Sequence, residues 1–148
     1  MTEKRKIGDI GEAAAVKFLE DKGYKILKRN FYCRVGEIDI IAVDRDETVF
    51  VEVKTRKSDA FGTAAEFVTY QKQQRIIKTA LYYIGGSDIP VRFDVVEVYH
   101  QNTEITKINH IENAFYWYIK GVFFWNGKRD KWSILKKTRE NKRLKSIF

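Results

Sequence analysis

Three residues in the stretch 39–54, "DIIAVDRDETVFVEVK", have the types and spacing needed for phosphodiester chemistry: Asp39, Glu52 and Lys54. A chain reversal centred on Arg45 and Asp46 pairs Asp44 with Glu47, Val43 with Thr48 and Asp39 with Glu52, whether the loop has two or four residues. Opposed side chains on antiparallel strands have Cβ atoms about 5 Å apart, and like charges so placed are destabilising. At an effective dielectric near 20, two carboxylates at that distance repel by on the order of 3 kcal/mol. A cation is therefore expected beside them. Hard oxygen ligands suit Mg²⁺ or Mn²⁺, and a lysine two residues beyond the glutamate faces the same way, where it can polarise water or stabilise developing charge.

The elements that must position these residues follow from periodicity. The spacing predicts a helix from Ile10 to about Lys22, with Asp9 as its cap, Glu12 three residues later and Gly23 as its stop. Its apolar side holds Ala15, Val16, Phe18 and Leu19. "YKILKRNFYC" reads as a strand before the hairpin. The hairpin's second face, Ile38, Ile40 and Ala42 with Val49, Val51 and Val53, is uniformly apolar and must pack against another layer. Residues 56–66 lack a period and read as a loop. Thr69 caps a second helix running to about Ile84, with Gln73, Ile76, Ile77, Ala80, Leu81 and Ile84 on one stripe. "VRFDVVEVYH" and "ITKINHI" are strands joined by "QNTE". The order helix, three strands, helix, strands predicts one α/β domain with a mixed sheet.

Composition bounds the partner. The 148-residue chain is 44% hydrophobic with one proline, as suits a packed domain, and carries a formal charge of +8. Residues 1–115 hold 18 basic and 18 acidic residues, whereas residues 116–148 hold 10 basic and 2 acidic, so the whole surplus lies in the tail. A basic segment on a neutral domain points to a polyanion, with an anionic membrane surface as the competing reading. One cysteine, Cys33, forms no internal disulfide, and the expected setting is cytoplasmic. The N-terminal stretch lacks a signal-peptide pattern, and the most apolar run, "AFYWYIKGVFFW", is too short to span a bilayer.

Asp followed by Glu-x-Lys on an antiparallel hairpin resembles the signature of the PD-(D/E)XK nucleases, with Ile38 where a proline often precedes the aspartate. "GDIGEAAAVKFLEDKGYKIL", "GEIDIIAVD", "VFVEVKTR", "RFDVVEV" and "INHIENAF" together resemble the bacterial YraN family, itself similar to archaeal Holliday-junction resolvases. The resemblance covers roughly residues 8 to 115 and implies a restriction-endonuclease-like mixed sheet, an antiparallel active-site hairpin and flanking helices. It also implies a metal-dependent endonuclease acting on DNA, on branched repair or recombination intermediates, with Mg²⁺ or Mn²⁺ as cofactor. The resolvase comparison places the accessory acid at Glu12, the metal aspartate at Asp39 and the Glu-x-Lys pair at Glu52 and Lys54. The carbonyl of Val53 would join Asp39 and Glu52 on the metal, Gln73 would position substrate, and a homodimer follows by analogy. A non-catalytic accessory protein that binds nucleic acid with the same fold is the alternative.

Each of these residues has a plainer reading. Lys54 can neutralise Asp39 diagonally and Glu37 across the ladder, and Glu12 can be a capping acid. Arg56 follows Lys54 closely enough to touch DNA, and Lys72 and Arg75 occupy the first turns of the second helix, where phosphate is favoured; each is otherwise a solvated charge. Asp94 can pair internally with Arg92 or a helix end. His100 and His110 read as ordinary turn residues. In the extension, 116–148, Asn126–Gly127 is a hairpin-turn signal between "YIKGVFFW" and "KRDKWSIL", whose aromatics can stack on bases or pack on protein. Lys128, Arg129, Lys136 and Lys137 are its candidate phosphate contacts.

Overall fold

The computed structural model describes residues 2–58 and 68–115, together with the backbone of 118–119 and 122–123. Helix α1 spans Glu3–Asp21, followed by strands β1 (Lys25–Cys33), β2 (Gly36–Asp44) and β3 (Glu47–Lys57). Helix α2 (Tyr70–Ile84) leads to β4 (Val91–Gln101) and β5 (Glu104–Ile111). The five strands form one sheet in sequence order, antiparallel except where β3 and β4 run parallel. That parallel step needs a crossover, and the segment containing α2 supplies it.

Two apolar layers cover the sheet. On one face Ala15 and Leu19 of α1 pack against Ile40, Ala42, Val49, Val51, Val96 and Val98. On the other, Ile76, Ile77, Ala80 and Ile84 of α2 pack against Ile41, Phe50, Phe93 and Val95. The architecture is the α/β mixed sheet with flanking helices that the motif order predicts, consistent with a restriction-endonuclease-like fold. No helix among the described residues is long and apolar enough to cross a membrane.

Three expectations change. Helix α1 begins at Glu3 and not at Ile10, with Thr2 at its N-cap making no side-chain cap bond. The cause is Ile7, which extends the i, i+4 stripe of Gly11, Ala15 and Leu19 by a turn and so carries the helix through Asp9. Ile38 does not share a face with Ile40: it joins the α2 layer with Ile41, so alternation breaks at Asp39–Ile40. Opposite the break, Asn30 of β1 takes a left-handed φ of 49°, and the ladder skips from Arg29↔Ile40 to Phe31↔Ile38. Finally, "YIKGVFFW" is not one strand, because Tyr118–Ile119 (β6) pairs antiparallel with Val122–Phe123 (β7). The candidate turn at Asn126–Gly127 and the tail cations Lys128, Arg129, Lys136 and Lys137 lie outside the described residues, as do residues 59–66 of the expected loop, whose first two residues, Arg56 and Lys57, belong to β3 instead because they continue its parallel ladder with β4.

Candidate metal centre

The hairpin turn has the two-residue form, with Arg45 at φ 56°, and its ladder is regular from Asp44↔Glu47 to Ile40↔Val51. The next step would set Asp39 opposite Glu52. There Asp39 Oδ2 accepts the backbone N–H of Val53 at 2.7 Å, so a carboxylate takes the donor of β3. Both acids line one open cleft of about 570 Å³, together with Glu12, Glu37, Val53 and Lys72. Helices on opposite faces of the sheet thus both reach it, α1 through Glu12 and α2 through Lys72.

Charge at the cleft is unbalanced. Burial and then the charge of Glu52 push the Asp39 carboxyl up to about 7, with Glu12 adding to the rise, while the Val53 hydrogen bond and Lys72 oppose it. Glu52 is only 4% exposed. Its Oε1 lies 3.1 Å from Lys54 Nζ, on the shared strand face that Glu-x-Lys spacing requires. Its Oε2 lies 3.4 Å from Lys72 Nζ, within ion-pair range, yet is buried without a hydrogen-bond partner.

A second acid pair in the same hairpin provides an internal comparison. Asp44 and Glu47 also face each other, and Arg92 Nη1 bridges them at 3.0 and 3.1 Å. The same guanidinium bonds fully buried Asp94 through Nε at 2.9 Å. Burial raises the Asp94 carboxyl, but hydrogen bonds from His110 and Arg92 outweigh it and hold the group below the usual carboxylate range. At Asp44 and Glu47 the fold supplies its own cation between the acids. At Asp39 it leaves a carboxyl with a raised pKa beside a buried orphan oxygen.

This donor set fits a hard divalent ion: two carboxylates, Asp39 and Glu52, with Glu12 on the cleft wall. Among the described residues no three Asp, Glu, His or Cys side chains converge closely enough to hold an ion by themselves, so further ligands would come from backbone carbonyl, water or phosphate oxygen.

Several expected positions differ in detail. Glu12 sits in mid-helix, which removes its reading as a capping acid. Lys54 pairs with Glu52 and not with Glu37, whose oxygen lies 3.7 Å from Lys72 Nζ instead. Gln73 does not line the cleft; its amide donates to the Val68 carbonyl at 2.8 Å, and the preceding residue, Lys72, faces the acids. Arg56 is engaged by Glu97, with Nε 3.4 Å from its Oε1, and Arg75 is exposed on α2; neither lines the cleft. Asp94 pairs with Arg92 as expected. Neither histidine is a turn residue: His100 lies within β4, its Nδ1 donating to the carbonyl of turn residue Asn102, and His110 lies within β5 and bonds Asp94 and Lys22. Sequence reasoning overlooked Arg92 as the bridge between Asp44 and Glu47, although the pairing of those acids already called for a cation.

Comparison with known proteins agrees with the motif order. Residues 11–98 match the profile described as "Uncharacterised protein family UPF0102". A UPF0102 protein of Caldanaerobacter subterraneus subsp. tengcongensis is 49% identical over 117 residues, covering 76% of this chain and 96% of that protein. One from Alkaliphilus oremlandii is 53% identical over 116 residues, 75% of this chain and 98% of its own length. One from Clostridioides difficile is 48% identical over 118 residues, 78% of this chain and all of its own length. Nearly the whole of each relative is matched while about a quarter of this chain lies outside the match. The chain belongs to the UPF0102 (YraN) family.

Proposed function

We propose that this protein is a divalent-metal-dependent endonuclease acting on DNA, with branched repair or recombination intermediates as its substrate class. The observation that carries the reading is the contrast between two acid pairs in one hairpin: Asp44 and Glu47 share the hydrogen bonds of Arg92, whereas among the described residues no side chain bridges Asp39 and Glu52, and the Asp39 carboxyl stays raised although Lys54 and Lys72 stand beside Glu52. Asp39 and Glu52 would hold Mg²⁺ or Mn²⁺, with the Val53 carbonyl as a further oxygen. Such an ion supplies charge stabilisation for the phosphoryl oxygens and makes a bound water a stronger nucleophile. Lys54 Nζ lies 3.1 Å from Oε1 of Glu52, where it would orient or polarise the attacking water. Glu12 is the accessory acid of the cleft, and Lys72 holds Glu52 in place and meets the substrate phosphate. Two such sites related by symmetry would match a four-way junction, which is the reason to expect a homodimer.

The experiment incubates purified protein with labelled linear, flapped and four-way DNA in Mg²⁺, Mn²⁺ or EDTA, beside Asp39→Asn and Lys54→Ala. Metal-dependent cutting lost in both variants supports the reading. Cutting that persists in both, or none by the wild type, overturns it.

A second reading is a nucleic-acid-binding accessory protein without cleavage. It is favoured by the two lysines already on Glu52, Lys54 at 3.1 Å and Lys72 at 3.4 Å, which neutralise that acid without an ion. DNA binding with no cutting and no metal-dependent change in thermal stability would select it.

A further inference from the structure

The metal cleft is continuous with a second one of about 670 Å³, and the two share Glu3, Ile7, Lys57 and His100 as walls. Together they form a groove between the first turns of α1 and the ends of β3 and β4. Along β3 it runs from Glu52 to Ser58, roughly 20 Å at 3.3 Å per residue.

Gly8 forms part of the wall and sits inside α1. A glycine within a helix costs about 1 kcal/mol relative to alanine. Gly11, one turn on, has an internal reason, since a Cβ there would lie 2.0 Å from Thr55 Oγ1. Gly8 has none among the described residues: a Cβ there would meet nothing within 4 Å, so the helix surface at Gly8 is open to close approach by a ligand.

The chemistry of the walls says what approaches. Lys4 and Lys57 line the first cleft and Lys6 and Lys57 the second, so that three lysines outnumber Glu3, the acid common to both, and none of the three is ion-paired among the described residues. Lys4 and Lys6 stand at the positive end of α1, where the macrodipole disfavours cations, so internal electrostatics does not account for them. His100 is only 5% exposed; Nδ1 donates to the Asn102 carbonyl at 2.7 Å, which leaves Nε2 as the ring nitrogen available to a groove ligand.

We infer that this groove is the track of a DNA strand leaving the metal centre, with Gly8 kept bare so that the sugar–phosphate backbone lies against α1, Lys4, Lys6 and Lys57 meeting its phosphates and His100 where the two clefts join. The inference names the substrate path for the nuclease reading and rests on it.

The test is binding of fluorescein-labelled duplex and four-way DNA in EDTA, as a function of salt, by wild type, Gly8→Ala, Gly8→Leu and Lys57→Gln. Gly8→Ala is expected to raise Tm by about 2–4 °C through helix propensity while weakening binding about threefold, and Gly8→Leu to weaken it roughly tenfold. Lys57→Gln should reduce the slope of log K against log salt by about 0.9. Gly8 variants that bind like the wild type, or an unchanged slope for Lys57→Gln, overturn the groove even if the wild type cuts DNA. Weakened binding in these variants upholds it even if the wild type does not cut, and a wild type that binds no DNA sinks both readings.

Discussion

Asp39 accepts the backbone N–H of Val53 at 2.7 Å, so a side chain of β2 bonds β3 where the regular ladder between them ends. That bond holds the carboxylate against Glu52 despite their repulsion. The cost is visible in the Asp39 carboxyl, which burial and Glu52 raise to about 7.

The first prediction concerns that cost. Because the folded pKa of Asp39 lies above its ordinary 3.8, the fold favours the protonated form. Its contribution to stability is full below about pH 3.8 and is lost as pH rises through about 7, with a ceiling of about 4 kcal/mol. Asp39→Asn removes the charge and keeps an acceptor for Val53. Urea unfolding in EDTA should find it about 1–3 kcal/mol more stable than wild type at pH 8, with the gap narrowing at pH 5 and closing only toward pH 3.8. Equal stability at pH 8 would contradict the strain.

A divalent ion should relieve the same strain. Adding Mn²⁺ or Mg²⁺ is expected to raise the Tm of the wild type, more at pH 8 than at pH 5.5, since at the lower pH a proton competes for Asp39. Asp39→Asn and Glu52→Gln should show little of this shift. Differential scanning fluorimetry with and without EDTA decides it, and an equal shift in all three proteins would place the ion elsewhere.

At the other end of the hairpin, Arg92→Gln leaves Asp44, Glu47 and buried Asp94 without their shared cation. Removing one partner of a buried ion pair costs about 3–5 kcal/mol. Asp94 is held below the ordinary carboxylate range, so its contribution is present at neutral pH and lost as pH falls through its folded value. Denaturant melts of Arg92→Gln should therefore show the larger loss at pH 7, shrinking in acid. A loss under 1 kcal/mol at pH 7 would rule out the bridging role.

The two helix glycines should respond oppositely to alanine. Gly8→Ala stabilises, whereas Gly11→Ala drives a Cβ into Thr55 and should cost about 1–3 kcal/mol. Thr55→Ala, which removes the Oγ1 contact at 2.0 Å, should recover part of that loss. A double-mutant cycle by thermal melts measures the coupling, and simple additivity would mean the helix has moved away.

Local rules account for what was legible in the sequence. A two-residue turn and a period of two set the β2–β3 register, so the meeting of Asp44 with Glu47 and the common face of Glu52 and Lys54 could be read from spacing alone. The Thr69 cap and the Gly85 stop likewise bounded α2, because caps act within a turn of their own residues. Tertiary structure decided which cation each acid pair received. Arg92 reaches Asp44 across 48 residues because the crossover through α2 lays β4 beside β3, while the first turn of α2 directs Lys72 and not Gln73 toward Glu52. It also decided the break at Asp39, where β2 changes face opposite left-handed Asn30. Hydrophobic period and turn chemistry act over a few residues, whereas electrostatic balance at a buried carboxylate depends on everything packed around it, and that is set only when the layers close.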